Sequence, residues 1–187
     1  MSFTTDWFSD NIPIWENIFK ETKIPENILE IGSFQGRSTC WLLENTQAHV
    51  TCIDTWEGSP ENSEDEKKDL FEIFKQNIEP WGDRVTVMRG RSDEALRKFK
   101  PEPIFDFVYV DGSHHAWDII DDAVLSWKLL KPNGVMIFDD FEWCAPGRGP
   151  EDPSNPRTAI QAFCHGFRPS KLWQWYQVAV QKPPTAP

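Results

Sequence analysis

The chain has 187 residues, 39% of them hydrophobic, and a formal net charge of −11 at pH 7. This size and composition favour one globular domain, and the apolar runs are too short to cross a bilayer, so no membrane partner is expected. The acidic balance argues against nonspecific binding to nucleic acids, which needs a positively charged surface.

The cysteines and the first ten residues bear on disulfide bonds, zinc binding and cellular location. The four cysteines are scattered and form no Cys-x-x-Cys pair, which argues against a disulfide framework and against a zinc site. The segment from Met1 to Asp10 contains acidic residues and no basic cluster. We therefore expect no signal peptide and a cytoplasmic protein.

Strand and helix patterns alternate along the chain. Apolar or β-branched runs predict strands at 27–31, 49–54, 84–89, 105–110 and 134–138. Amphipathic patterns predict helices at 10–20, 36–44, 64–77, 93–99, 117–130 and 158–167. Residues 171–182 are a further extended stretch, expected to bend near Tyr176 and to add one or two antiparallel edge strands. This order predicts an α/β fold with a doubly wound, mostly parallel sheet.

The chain contains ten tryptophans, a high number for its length. Three lie in apolar helical patterns and are expected in the core: Trp41, Trp117 and Trp127. Three others lie in less regular segments, where we expect them to line a pocket: Trp7, Trp15 and Trp143.

The ends of the predicted strands carry the chemistry. In an open parallel sheet, ligands bind beyond the carboxyl ends of the strands. Four of the five ends have an acidic residue at or just beyond the last strand position. A single aspartate there could be a helix cap, but acids at several corresponding ends favour a shared functional site.

The first predicted strand leads into a glycine-containing turn. Gly32 and Gly36 allow close approach of the backbone to a ligand, although Phe34 stands where the dinucleotide fingerprint needs a glycine. Glu30 lies inside the strand, where a carboxylate is costly unless it meets a cationic or donor-rich partner. The turn therefore predicts a cofactor loop.

The next two strand ends are compatible with the same cofactor. Asp54 can accept hydrogen bonds from two ribose hydroxyls, which suits NAD and S-adenosylmethionine alike. After the third strand, Ser92 or Asp93 could hold the edge of an adenine ring. The alternative is that Ser92 only caps the following helix.

Four segments resemble class I S-adenosylmethionine-dependent methyltransferases. They are Ile28-Leu-Glu-Ile-Gly-Ser-Phe-Gln-Gly-Arg-Ser-Thr39, Cys52-Ile-Asp-Thr-Trp56, Asp106-Phe-Val-Tyr-Val-Asp-Gly-Ser-His114 and Leu130-Lys-Pro-Asn-Gly-Val-Met-Ile-Phe-Asp-Asp140. The sequence is most similar to methyltransferase family 24 and resembles macrolide and sugar O-methyltransferases, from Asn27 to Phe141. The resemblance implies a seven-stranded, Rossmann-like sheet with an antiparallel final strand.

The resemblance also implies which residues contact S-adenosylmethionine: Glu30, Gly32, Ser33, Gly36, Asp54 and Ser92. We add neighbours on the same loops to the predicted cofactor site: Ser38, Thr55, Trp56, Arg91, Asp111 and Gly112. The chain has Asp111-Gly-Ser-His114 where amino-methylating relatives have an Asp/Asn-Pro-Pro-aromatic motif. This difference favours oxygen as the methyl acceptor.

Acids at two neighbouring strand ends suggest a divalent metal. Asp111, Asp139 and Asp140 could converge, and oxygen ligands suit Mg²⁺. Metal-dependent relatives carry acids at these positions, and a metal would lower the pKa of an acceptor hydroxyl. The alternative is that Asp139 and Asp140 cap a loop while Asp111 only bonds the cofactor.

His114 is the predicted general base, with Asp111 as the second catalytic residue. His114 lies three residues beyond Asp111, and an ordinary imidazole titrates near neutral pH. The alternative is a structural histidine that bonds a nearby backbone group or the cofactor. His115 is a weaker choice for the base.

We therefore expect a single methyltransferase domain over residues 1–187, with an N-terminal helical segment at 1–26 and a substrate lid at 142–157. The expected acceptor is a sugar, a phenol or another small hydroxylated metabolite, and Arg148 and Arg157 of the lid could recognise an anionic group. Homo-oligomer formation stays open. Two alternatives remain: an NAD-dependent oxidoreductase, disfavoured by Phe34 and Glu30, and a catalytically inactive methyltransferase-like binding module.

Overall fold

The computed structural model describes residues 1–60 and 62–184. One seven-stranded sheet runs through the molecule in the order β3-β2-β1-β4-β5-β7-β6. The strands are β1 Asn27–Ile31, β2 His49–Asp54, β3 Val85–Arg89, β4 Phe105–Val110, β5 Leu130–Phe138, β6 Ser170–Gln174 and β7 Val178–Gln181. The predicted doubly wound, mostly parallel sheet is confirmed.

Helices cover both faces of this sheet. They are α1 Ile12–Glu21, α2 Arg37–Asn45, α3 Glu64–Lys67, α4 Leu70–Ile78, α5 Ser92–Leu96, α6 Ala116–Leu129 and α7 Pro156–Phe167, with 3₁₀ turns at Ser9–Asn11 and Glu79–Arg84. Within the described ranges, none of these helices is long and apolar enough to span a membrane.

The directions and the order of the strands indicate where a ligand crevice lies. Strands β1 to β5 are parallel, whereas β7 pairs antiparallel with both β5 and β6. The strand order reverses direction between β1 and β4, and a switch of this kind opens a crevice at the carboxyl ends of the strands. The predicted bend lies between β6 and β7 and includes Tyr176.

The two sides of the sheet bury separate apolar clusters, and the tryptophan predictions divide between them. Trp41 and Trp127 are buried, as predicted. Trp117 was expected in the core but is 58% exposed, because it lies in the first turn of α6 and stacks on His115. Trp15 was expected at a pocket but is fully buried, where its indole N–H donates to Gln177 Oε1 at 2.8 Å.

The single helix predicted over 64–77 is two helices. Asp69 has φ +55°, a left-handed conformation that interrupts the α-helix between Lys67 and Leu70. The first piece has no buried residue and is held by a capping box between Ser63 and Glu66, whereas the second buries an apolar face. Helical periodicity alone did not reveal the break, since the charged residues before it are also good helix formers.

Gly32 lets the loop after β1 pass against the loop after β4. Its φ is +88°, and a Cβ at this position would lie 1.9 Å from the carbonyl oxygen of Asp111. The Gly32 amide also donates to the Ile53 carbonyl at 2.9 Å. A side chain at position 32 is therefore incompatible with the present spacing of the three central strand ends.

Asp122 on α6 is a buried acid, only 1% exposed, whose Oδ1 has no hydrogen-bond partner among the described residues. Burial raises the pKa of its carboxyl to about 7, and the nearby charges of Asp118, Asp121 and Asp93 act in the same direction. A hydrogen bond with Ser92 opposes the shift. The folded protein therefore favours the neutral form of Asp122.

This burial predicts a pH-dependent stability. An aspartate in the unfolded chain titrates near pH 4, so between about pH 4 and 7 the folded state binds the proton more tightly. The Asp122 contribution to stability should fall as the pH rises through this window. The Asp122→Asn variant should be more stable than the wild type at pH 8, by up to roughly 4 kcal/mol at about 1.4 kcal/mol per pKa unit, and little changed at pH 4.5.

Urea unfolding at both pH values measures this difference. The control is Asp121→Asn, which changes the exposed neighbouring acid and should keep most of the pH dependence of the wild type. Equal effects of Asp122→Asn at pH 4.5 and pH 8 would contradict the prediction.

Candidate active site

A cavity of about 990 Å³ opens at the carboxyl ends of the parallel strands. Most of the predicted site residues line it: Gly32, Ser33, Ser38, Asp54, Thr55, Arg91, Ser92, Asp111, Gly112, His114, Asp139 and Asp140. Three predicted residues are not among the lining residues: Glu30, Gly36 and Trp56. A volume of this order accommodates a cofactor together with a small acceptor.

Glu30 lies beneath the cofactor loop rather than in the cavity. It is fully buried and accepts hydrogen bonds from Ser33 Oγ at 2.7 Å, from Ser38 Oγ at 2.6 Å and from the hydroxyl of Thr39. Burial raises the pKa of Glu30, and these hydroxyl donors oppose the shift. The donor-rich partner that the sequence required is thus supplied by the chain itself, and a direct contact of Glu30 with a cofactor stays a prediction.

Asp54 joins the ends of β1 and β2. Its Oδ2 accepts the Phe34 amide at 2.8 Å and its Oδ1 accepts the Trp56 amide at 2.7 Å. Burial raises the pKa of Asp54, and the backbone donors oppose the shift. Since a carboxylate oxygen has further lone pairs and this one lines the cavity, Asp54 can still accept from a ligand hydroxyl.

Phe34 and Trp56 complete this corner. Phe34 has φ +46° where the dinucleotide fingerprint has a glycine, and its carbonyl accepts the Trp56 indole N–H at 2.8 Å. Trp56 packs against Phe71 and Phe74, with ring centroids 4.9 and 4.7 Å apart. Trp56 therefore supports the loop from behind.

The loop after β3 brings Arg91 and Ser92 to the cavity. Arg91 precedes α5 and pairs with Asp93 at 3.1 Å and with Asp118 at 3.7 Å. Ser92 is the first residue of α5 rather than its N-cap, and the N-terminus of this helix has no side-chain cap. The alternative interpretation of Ser92 as a helix cap is therefore wrong.

Asp111 and Asp139, at the ends of β4 and β5, lie beside Tyr109, and Asp140 is close to both acids. The Tyr109 hydroxyl donates to Asp139 Oδ2, which also accepts from Gln177 Nε2 at 2.8 Å, and Asp139 Oδ1 accepts the Asp140 amide at 2.8 Å. Burial, followed by the charges of Asp139 and Asp140, raises the pKa of Asp111 well above its usual range. The cluster therefore holds back ionisation of Asp111 at its centre.

These acids do not form a ready metal site. Both oxygens of Asp139 accept protein donors, and Asp140 is paired with His114. Across residues 1–60 and 62–184, no group of three or more His, Cys, Asp or Glu side chains is arranged to hold a metal ion. The magnesium site predicted at Asp111, Asp139 and Asp140 is therefore not supported.

His114 and Asp140 form a pair in the cavity wall. His114 Nε2 lies 2.9 Å from Asp140 Oδ2, and the imidazole ring lies against Trp143 with the centroids 4.3 Å apart. Asp140 has φ +61°, a conformation that turns it away from the line of β5. His115 instead stacks on Trp117 at 4.6 Å, at the start of α6.

Several lining residues were not predicted from the sequence. They are Thr5, Asp6, Phe8 and Asp10 of the N-terminal segment, Tyr109 within β4, and Trp175 and Tyr176 at the bend before β7. Of residues 142–157, the expected lid, Trp143 is the one that lines the cavity. Arg148 pairs with Asp152 at 3.4 Å and Arg157 pairs with Glu142, and neither arginine lines the cavity.

Comparison with known proteins identifies the family to which this sequence is similar. The family model described as "Methyltransferase domain" matches residues 29–141. O-methyltransferase hkm8 of Aspergillus hancockii is 31% identical over 128 residues, covering 67% of this chain and 47% of that protein. Uncharacterized protein R132 of Acanthamoeba polyphaga mimivirus is 29% identical over 122 residues, covering 61% and 51%. The chain thus spans about half the length of these curated relatives.

Solved structures agree in fold. The O-methyltransferase from Bacillus cereus in complex with SAH has a TM-score of 0.66 at 24% identity, covering 96% of this chain and 84% of that one. The O-methyltransferase TomG from Streptomyces achromogenes in complex with SAM has a TM-score of 0.66 at 20% identity, covering 90% and 78%. The matched family segment covers more than half of the chain and contains the ends of all five parallel strands that surround the cavity, so the chain belongs to the methyltransferase domain family.

Proposed function

We propose that this chain binds S-adenosylmethionine and transfers its methyl group to a hydroxyl oxygen of a small acceptor. The observation that carries the proposal is the His114–Asp140 pair, which shares one cavity with the Gly32 turn and with Asp54. Family membership and the O-methyltransferase from Aspergillus hancockii support the same reaction. The phenylalanine at position 34 and the family match disfavour the alternative of an NAD-dependent oxidoreductase.

The residues of the cavity fit the proposed cofactor. Gly32 and Gly112 let the β1 and β4 loops approach each other closely at the edge of the cavity. Asp54 offers carboxylate oxygens to ribose hydroxyls, and Ser92 stands at the start of α5 for the adenine edge. Ser33 and Ser38 are fixed by Glu30 along the same loop. When bound, S-adenosylmethionine supplies an activated methyl group on a sulfonium centre.

The proposed chemistry needs only orientation and the removal of one proton. The acceptor O–H gives its proton to His114, a new O–C bond forms as the S–C bond breaks, and the bonding electrons stay on sulfur. In the tautomer that donates Nε2–H to Asp140, the basic lone pair of His114 lies on Nδ1. Asp140 then stabilises the imidazolium that forms. Asp111 would act as a neighbour that shapes the site around the methyl group.

The dyad predicts a specific kinetic pattern. His114→Ala should lower kcat by about 10²–10⁴-fold, the usual contribution of a positioned general base, and should retain binding of S-adenosylhomocysteine. Asp140→Asn should lower kcat less, because it weakens the stabilisation of the imidazolium and leaves the imidazole in place.

The matched control is His165→Ala on α7, which lies outside the cavity and should keep the wild-type rate. Methyl transfer is followed by mass spectrometry across a panel of hydroxylated sugars and phenols. Activity of His114→Ala equal to that of His165→Ala would refute the assigned base.

The hydrogen bonds of the acids at the ends of β4 and β5 lead us to expect a reaction that needs no metal ion. Because Asp139 is occupied by Tyr109 and Gln177, addition of EDTA should leave the rate of methyl transfer unchanged, and added Mg²⁺ should change it less than about twofold. A rate that is lost in EDTA and restored by Mg²⁺ would show that the three acids rearrange around a metal. The same assay with Ca²⁺ in place of Mg²⁺ controls for ionic effects on the acidic protein.

A further inference from the structure

The end of the cavity beyond the proposed cofactor loops is lined by a different set of side chains. It is bounded by the loop after β5, by the bend before β7 and by the N-terminal segment. The side chains that it presents include several aromatic and acidic ones: Trp7, Asp10, Asp140, Trp143, Trp175 and Tyr176. If the cofactor occupies the ends of β1, β2 and β3, this end receives the acceptor.

Two of the aromatic side chains at this end are largely exposed to solvent. Trp175 is 71% exposed and Trp7 is 61% exposed, although both line a concave site. Trp7 packs against Phe34 at 5.2 Å between ring centroids, and Trp143 packs against His114 at 4.3 Å. Large exposed aromatic rings around a pocket are suited to holding a flat or a positively charged group.

The charge of the cavity is strongly one-sided. Among the described lining residues, eight are aspartate or glutamate and two are arginine. Asp6 and Asp118 pair with those arginines, and burial raises the pKa of Asp111, so five acids remain to set the charge of the cavity. Both arginines are already paired, Arg37 with Asp6 at 3.3 Å and Arg91 with Asp93 and Asp118. Arg148 and Arg157, the predicted anion-binding residues, are paired outside the cavity. The described residues therefore offer no unpaired arginine or lysine to a carboxylate or phosphate on the acceptor.

Asp10 adds an exposed negative charge at the mouth. It lies in the 3₁₀ turn before α1 and, within the described chain, makes no salt bridge. Deeper in the cavity, Asp140 is shared by His114 and by the hydroxyl of Tyr176. A positively charged acceptor would thus meet acids from the mouth inward, and such a field concentrates cations and repels anions.

We propose that the acceptor is a hydroxylated small molecule that also carries a positively charged amine, held among Trp7, Trp175 and the acids of the cavity mouth. This inference rests on the proposed function and specifies its substrate class. The amine lies over the aromatic rings near the mouth, and the hydroxyl reaches inward to His114. The same negative charges repel an acceptor that carries a carboxylate or phosphate, so the site also discriminates against anionic molecules.

Three phenols that differ in one group test the charge preference. Tyramine carries an ammonium group, N-acetyltyramine a neutral amide, and 3-(4-hydroxyphenyl)propionate a carboxylate. Binding of each to the full chain saturated with S-adenosylhomocysteine is measured by isothermal titration calorimetry at low salt. Tyramine should bind at least about tenfold more tightly than N-acetyltyramine, and the carboxylate should bind most weakly; at high salt the differences should shrink.

Variants identify the residues responsible. Trp175→Ala and Asp10→Asn should each weaken tyramine binding by threefold or more and weaken N-acetyltyramine binding less. The matched controls are Trp173→Ala, an exposed tryptophan on β6 outside the cavity, and Asp83→Asn, an acid remote from it. Neither control should change the ratio of the two affinities.

The outcomes separate the two proposals. If S-adenosylhomocysteine does not bind, the proposed function fails and the inference fails with it. If S-adenosylhomocysteine binds, but tyramine binds no better than its neutral or anionic counterpart or does not bind at all, only the inference is overturned. A preference for tyramine that survives both Trp175→Ala and Asp10→Asn also overturns it, because the cation would then be held elsewhere.

Discussion

A buried carboxylate in the first strand organises the site. Glu30 lies at the centre of the sheet, opposite Cys52 of β2 and Tyr109 of β4, with no exposure to solvent. An ionised group there costs several kcal/mol unless donors surround it. The chain provides these donors from the turn and from α2, so the carboxylate holds the turn in one conformation. The geometry of the proposed cofactor loop therefore depends on a group that the cavity does not contact.

The other half of the site is organised by long-range partners of the acids. Asp139 is hydrogen-bonded by Tyr109 of β4 and by Gln177 of the bend between β6 and β7, whereas Asp140 pairs with His114. The acids that sequence position alone assigns to a metal are thus hydrogen-bonded or paired within the protein, and the His114–Asp140 pair is the proposed base with its partner. Trp15 links these elements to α1, since its indole N–H donates to Gln177.

The sequence predicted the fold well where a strand is a short apolar run between turn residues. The strands at 27–31, 49–54 and 105–110 have the predicted bounds, because each is buried on both faces and needs no tertiary partner to be recognised. The break at Asp69 and the exposure of Trp117 were missed, since periodicity describes a helix face but not what packs against it. The acids were located at the correct strand ends, yet their side-chain partners come from residues far along the chain. The N-terminal wall of the cavity likewise carries no motif.

We expect the Gly32 turn and Asp54 to form a site for S-adenosylmethionine, and a measurement of ligand binding decides whether they do. Thermal unfolding of the full chain is followed with saturating S-adenosylhomocysteine and, separately, with saturating NAD. A ligand at about 100 times its Kd stabilises the folded state by roughly 2.7 kcal/mol, which raises Tm by several degrees in a domain of this size. We expect this rise with S-adenosylhomocysteine and no rise with NAD. No rise with S-adenosylhomocysteine, or an equal rise with NAD, would contradict it.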